Sequence, residues 1–252
     1  MTLALLFAVP AWADTAEDAR ELITLGDYET ARAIAQNLNT AEGYAMAAES
    51  LSAQILLGEV DKLNKTSKQA RELSERALAL DPSHYNARLQ YALADGFVTR
   101  TSGNLTAWRK KLPSKTLAII QELRASYPDD PKGLALEGAW HLGVIRKAGL
   151  KNGGEWFGAS LEEGKRLYRD AVLVDPHNIL IQANYFMGLQ VLNKELPVYS
   201  EIHNRASLER ILALPAETDI DKKTQLRMRE VLENLDDPKT MRKLAEKFLD
   251  GK

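Results

Sequence analysis

Apolar residues recur at spacings of three and four along most of the chain, as in LSERALAL (73–80), LYRDAVLV (167–174) and ILIQANYFMGLQVL (179–192). This is the period of a helix with one buried face, and stretches that alternate apolar and polar residues between turns are almost absent. The pattern predicts helix after helix and no sheet. Start signals agree. Ser160-Leu161-Glu162-Glu163 and Thr218-Asp219-Ile220-Asp221 fit the capping box, and Asp130-Pro131 and Asp237-Pro238 put an acceptor at the N-cap with proline at the first helical position. The neighbouring acids Asp129/Asp130 and Asp236/Asp237 are therefore read as helix caps rather than as an acid–base pair.

One phrase is written twice: LSERALALDPSHYNARL at 73–89 and LYRDAVLVDPHNILIQA at 167–183. The proline that closes it recurs at Pro82, Pro128, Pro176 and Pro215, at intervals of 46, 48 and 39 residues. Each proline ends a helix, small residues such as Ala77 and Ala171 fall near the last turn, and another helix follows. An earlier segment, GDYETARAIAQNL (26–38), adds a turn and a second helix, with Gly26 for the reversal and Ala31 for close approach. The unit is a hairpin of two helices. Its length is stretched by long turns at 58–67, 99–114, 148–160 and 193–201.

The second helices, in GDYETA, ARELSERALALDP and GKRLYRDAVLVDP, resemble those of the tetratricopeptide repeat family. The matching positions are Ala70, Ala77, Leu78, Leu80, Asp81 and Pro82 in one copy. In the other they are Gly164, Tyr168, Ala171, Val172, Val174, Asp175 and Pro176. The resemblance covers about two thirds of the chain. The copies around Pro128 and Pro215 are degenerate, and the first helices lack the family's tryptophan-leucine-glycine signature. It implies an all-α, right-handed solenoid of about four hairpins over residues 14–252, whose first helices line a concave surface. A C-terminal cap over about 219–252 would end it, finishing in the charged helix KTMRKLAEKFLDGK.

Composition narrows the class further. The chain has 252 residues, 45% apolar, 27% charged and 7% aromatic, enough to bury a sizeable core. A formal charge of −2 gives no basic surface for nucleic acid. With no cysteine there is no disulfide, no thiolate metal site and no lipid-attachment cysteine. The opening MTLALLFAVPAWAD carries an apolar run from Leu3 to Val9 and then Ala11-Trp12-Ala13, the small-x-small pattern of signal-peptide cleavage. Residues 1–13 are expected to be an export signal, which places the mature protein free in the periplasm. An apolar N-terminal helix kept in the fold is the alternative.

Export, stretched repeats and the order GASLEEGKRLYRDAVLVDP, long apolar helix, loop, capping helix together resemble the periplasmic T component associated with bacterial TRAP transporters. The resemblance lies in layout more than in motif. It implies an accessory scaffold that partners a substrate-binding or other envelope protein. It also implies an oligomer with a pore or groove for a small apolar ligand. The alternative from a different class is a lone carrier holding a lipid-like ligand inside the solenoid. A scaffold requires a polar, aromatic-rimmed groove open to water, whereas a carrier requires a closed apolar cavity larger than packing tolerates.

No serine elbow, metal pair or nucleophile–base constellation stands out, so no enzyme, cofactor or metal is expected; the four histidines are far apart in sequence. Candidate binding residues lie on first helices and on the long turns. Tyr91 sits in LQYALADGFV, Trp140 and Arg146 in GLALEGAWHLGVIRKAG, and Asn184, Tyr185 and Met187 in QANYFMGLQ. For Trp140 and for the last three, core packing stands beside surface lining as a reading. Trp108 adjoins Arg109, Lys110 and Lys111, with Lys115 beyond, on the second long turn. That combination suits an acidic partner, or else is a solvated charge run. Trp156 and Phe157 lie among Gly149, Gly153, Gly154 and Gly158, read as a flexible rim or as a linker whose aromatics plug a hairpin end.

Overall fold

A computed structural model describes residues 15–192 and 205–251. The expected export signal and the long turn at 193–201 lie outside the described residues. Within them the chain is all-α, with fourteen helices packed against their neighbours and no strand. In chain order the first seven are α1 (Ala16–Leu25), α2 (Tyr28–Asn37), α3 (Ala41–Leu56), α4 (Leu63–Leu80), α5 (Tyr85–Thr101), α6 (Asn104–Arg109) and α7 (Leu112–Ser126). The rest are α8 (Pro131–Ala148), α9 (Leu150–Phe157), α10 (Leu161–Val174), α11 (Ile179–Leu192), α12 (Arg205–Ala213), α13 (Asp219–Glu233) and α14 (Pro238–Asp250).

The repeated phrase is a repeated turn. Asp81, Tyr127 and Asp175 each precede a proline, which disfavours helical backbone for the residue before it, and each leaves the helix at φ −142°, −138° and −129°. Their N–H groups still donate to Ala77, Leu123 and Ala171 at 2.9–3.0 Å, five residues before the proline. Three residues on, His84, Asp130 and Asn178 donate back to those same residues' carbonyls at 3.2–3.3 Å. Their side chains then accept from Ala87, Gly133 and Ile181 at the start of the next helix. The copy at Pro128 is therefore complete in geometry. Leu123, 2% exposed, stands where the other two copies have alanine. The turn at Pro215 differs, because its cap, Thr218, comes one residue later.

Caps follow the sequence reading with one change. Thr218 and Asp221 form the reciprocal box, and Asp130 and Asp237 cap with proline behind them. Ser160 accepts from Glu163, but the returning half is made otherwise: the Ser160 N–H donates to His141 Nδ1 at 3.1 Å, while Glu163 binds Arg166. The long turns at 58–67, 99–114 and 148–160 are shorter than expected. Helix α4 begins at Leu63, and residues 104–109 and 150–157 are the helices α6 and α9. The glycine-rich segment is thus helical rather than a flexible rim. Its ends are set by Gly149 and Gly158, at φ 81° and 75°, where a side chain would be strained.

The core changes character along the chain. Between α1 and α5 it is built on Ala35, Ala47, Ala48, Ala70 and Ala94, which let helices approach closely. From α5 onward it is filled by Leu167, Phe186, Met187, Leu208 and Met228. Packing runs in chain order, α2 on α3, α3 on α4, α4 on α5, α5 on α7, α7 on α8 and α8 on α10, and α11 then meets α13 and α14.

The last two helices return to the first three. Tyr28 donates to Asp219 Oδ2 at 3.1 Å, Lys223 pairs with Glu59 at 2.6 Å, and Arg227 donates to the carbonyls of Leu56 and Leu57. Arg100, at the end of α5, donates to the Leu249 carbonyl of α14. Burial and the Asp219 carboxylate hold the Tyr28 phenol above its ordinary pKa.

Candidate functional site

Where the last described helices return to the first, the helices border a cavity of about 890 Å³ that is partly open to solvent. That is within the range of ligand sites and far above the voids that close packing leaves. Most of the wall comes from α1, α3, α5, α8 and α11, the last three being the helices that follow the proline turns. Helices α4 and α12 contribute nothing to it. On α5 the lining runs from Leu89 to Ser102, roughly 20 Å at 1.5 Å per residue.

The wall is mainly apolar. Leu93 and Phe97 of α5, Leu136 and Val144 of α8, and Ile181 and Val191 of α11 face the space, and Phe248 and Leu249 of α14 close one side. Among the described residues five cations, Arg20, Arg100, Lys132, Arg146 and Lys147, line it against two carboxylates, Glu49 and Asp221. The whole chain carries −2, so the interior is opposite in sign to the molecule. Ser52 Oγ, Gln90 Oε1 and Arg100 Nε are buried without a hydrogen-bond partner, and all three residues line the cavity. Buried polar atoms are rarely left so, and all three lie just behind the wall.

Six of the nine candidate residues face this space: Trp108, Trp140, Arg146, Trp156, Phe157 and Asn184. Trp140 is both core and lining. It is 7% exposed, and its indole N–H donates to the Pro113 carbonyl at 2.8 Å. Trp108 and Trp156 are 53% and 55% exposed and stand 6.4 Å apart, where the cavity meets solvent. Helices α6 and α9 thus meet over its mouth. Arg146 pairs with Asp250, whose carboxyl is held below the usual range; burial opposes this, and the hydrogen bond and charge of Arg146, with Lys147 and Arg100 nearby, outweigh it.

The other three candidates lie elsewhere. Met187 is 1% exposed and belongs to the core. Tyr185 is part-buried and stacks on Tyr168 at 5.0 Å. Tyr91 faces the Glu75 and Asp95 side of α5, where burial and those charges raise its pKa. Along α11, Asn184, Gly188 and Val191 face the cavity instead, at spacings of four and three. The residues that sequence reasoning missed are Phe97 and Arg100. Their signal is an apolar helix, LQYALADGFVTR, that ends on a single arginine.

Among the described residues no group of three or more histidine or acidic side chains converges as a metal site, and no helix is long and apolar enough to cross a membrane. No protein-family model matches the chain, and no curated protein matches it.

Proposed function

We propose that this protein is an exported, tetratricopeptide-like solenoid that holds an elongated apolar ligand in the space its helices enclose. We read α1/α2, α3/α4, α5/α7, α8/α10 and α11/α12 as the hairpins, one more than the sequence count, with α13 and α14 as the closing pair. The carrying observation is the cavity of about 890 Å³, partly open to solvent and lined mainly by apolar side chains from the first and the last described helices. A surface for a protein partner does not require so large an apolar interior, whereas a carrier does. This reverses the ranking that layout alone favours. Export rests on the reading of residues 1–13, and periplasmic residence with it.

Native mass spectrometry of protein purified from its own envelope tests the proposal. The expected spectrum contains a discrete added mass of a single-chain lipid or comparable apolar molecule, released by organic solvent. Ligand-free protein alone, under conditions that retain bound lipid in a control carrier, overturns the carrier reading.

A second reading is favoured by the half-exposed Trp108–Trp156 pair. Aromatics at a cavity mouth suit a partner that receives the ligand, as in an accessory T-type component beside a TRAP substrate-binding protein, or a second copy of this chain. Loss of a co-purifying envelope protein in the double variant Trp108→Ala/Trp156→Ala supports it. An unchanged set of co-purifying proteins refutes it.

A further inference from the structure

Resting on the carrier reading, we infer that the ligand is a single-chain amphiphile with a carboxylate head, seated on Arg100 while its tail lies along α5. The geometry of one side chain carries this. The Arg100 guanidinium lies over the Phe97 ring at 4.9 Å and donates through Nη1 to the Leu249 carbonyl. Its Nε is buried and has no partner. Nη2 makes no hydrogen bond and is not closed off as Nε is, so it is the nitrogen that meets an incoming carboxylate, with Nε completing the fork once the buried side chain shifts.

The surrounding charge points the same way. Arg100, Arg146 and Lys147 all line this end of the cavity, and Asp250 beside them is engaged by Arg146. Burial pulls the Arg100 guanidinium down to about 10; the Asp250 charge opposes this and the Arg146 charge reinforces it. A group in that position gains from an incoming anion. Part of its role is structural, since the C-terminus of α14 favours a cation at Leu249. That contact uses Nη1 and leaves Nη2 unused. From Arg100 the apolar wall continues through Phe97 and Leu93 to Leu89, which sets a long tail rather than a compact acid.

The test is a pair of matched probes, cis-parinaric acid and its methyl ester, titrated into delipidated full-length protein at pH 8. Energy transfer from the protein's tryptophans is the readout, and Trp140 in the wall is a built-in donor. The acid is expected to bind tenfold or more tighter than the ester, as charge-assisted hydrogen bonds require. Arg100→Leu is expected to bring the two affinities together by weakening the acid, with the ester unchanged, while Arg100→Lys keeps part of the preference. Equal affinities in the natural protein overturn the head-group assignment and leave the cavity reading standing. Failure of both probes to bind overturns the cavity reading itself. Should Arg100→Leu not fold, the acid-to-ester ratio of the natural protein decides alone.

Discussion

Removing Arg227 should open the seam that makes the cavity. Its two terminal nitrogens donate to the carbonyls of Leu56, the last residue of α3, and of Leu57, which caps it, and its guanidinium lies 5.8 Å from the Phe248 ring. Burial holds it below the ordinary arginine value, so it is substantially dehydrated. A hydrogen bond to a charged group contributes about 1.5–3 kcal/mol. In Arg227→Ala, however, water can reach carbonyls at the end of a helix, so the pair together is set near the lower limit, about 2 kcal/mol. For a chain of this size that lowers the melting temperature by about 4–8 °C. Arg227→Lys, which keeps the charge but not the fork, should lose about half as much. Hydrogen exchange locates the effect. Protection should fall in α1–α3 and in α13–α14, while α7, α8 and α10, which pack on one another, stay protected. A melting temperature within about 1 °C of the natural protein, or faster exchange spread evenly along the chain, refutes the idea that these contacts close the molecule.

Two glycines of α8 should respond with opposite signs. A Cβ at Gly138 falls 2.8 Å from the Tyr168 ring, so Gly138→Ala should lose about 1–3 kcal/mol in urea unfolding. A Cβ at Gly143 meets nothing within 4 Å, so Gly143→Ala should gain several tenths to about 1 kcal/mol from helix propensity; equal effects would contradict the packing of α8 on α10. Burial lowers the pKa of His141, against the charges of Glu137 and Glu163. Its contribution is therefore complete above about pH 6.5 and is lost as pH falls from there toward the depressed folded value, at no more than about 1.4 kcal/mol per pH unit. Unfolding midpoints at pH 7.5 and 5.5 should differ more in the natural protein than in His141→Asn, and an identical difference removes His141 from the account.

What the sequence made legible is local. Asp81-Pro82 and Asp175-Pro176 announce a helix end and the next start because the proline, the residue before it and the cap three residues on act within one turn. Thr218 and Asp221 announce a helix for the same reason. Tyr127-Pro128 performs the same operation with a tyrosine and a leucine in place of aspartate and alanine. The backbone constraint survives where the residue pattern does not. Closure was not legible, since Tyr28 and Asp219 are 191 positions apart and neither is unusual in its own segment. Nor could period alone decide which face of α11 is turned inward. That helix has no single apolar face, and only the packing of α8, α13 and α14 buries Met187 away from the cavity while Val191, also buried, borders it.

The uneven spacing of the prolines then has a physical consequence. A hairpin of two helices needs a short connection, and here two of the connections carry helices of their own, α6 and α9. These helices meet through Trp108 and Trp156 and lie over the space that α5 and α8 border. Trp140 pins the near wall to the second connection through the Pro113 carbonyl, and His141 pins the end of the third through the Ser160 N–H. The inserted residues therefore act as a roof, fixed to α8 at two neighbouring positions. A groove open on that side would leave Leu136, Val144 and Phe97 facing water. With the roof above and α14 beside them, they instead form an apolar interior whose charged groups gather at the end where α5, α8 and α14 terminate. The same insertions that stretch the spacing of the prolines cover one side of the cavity.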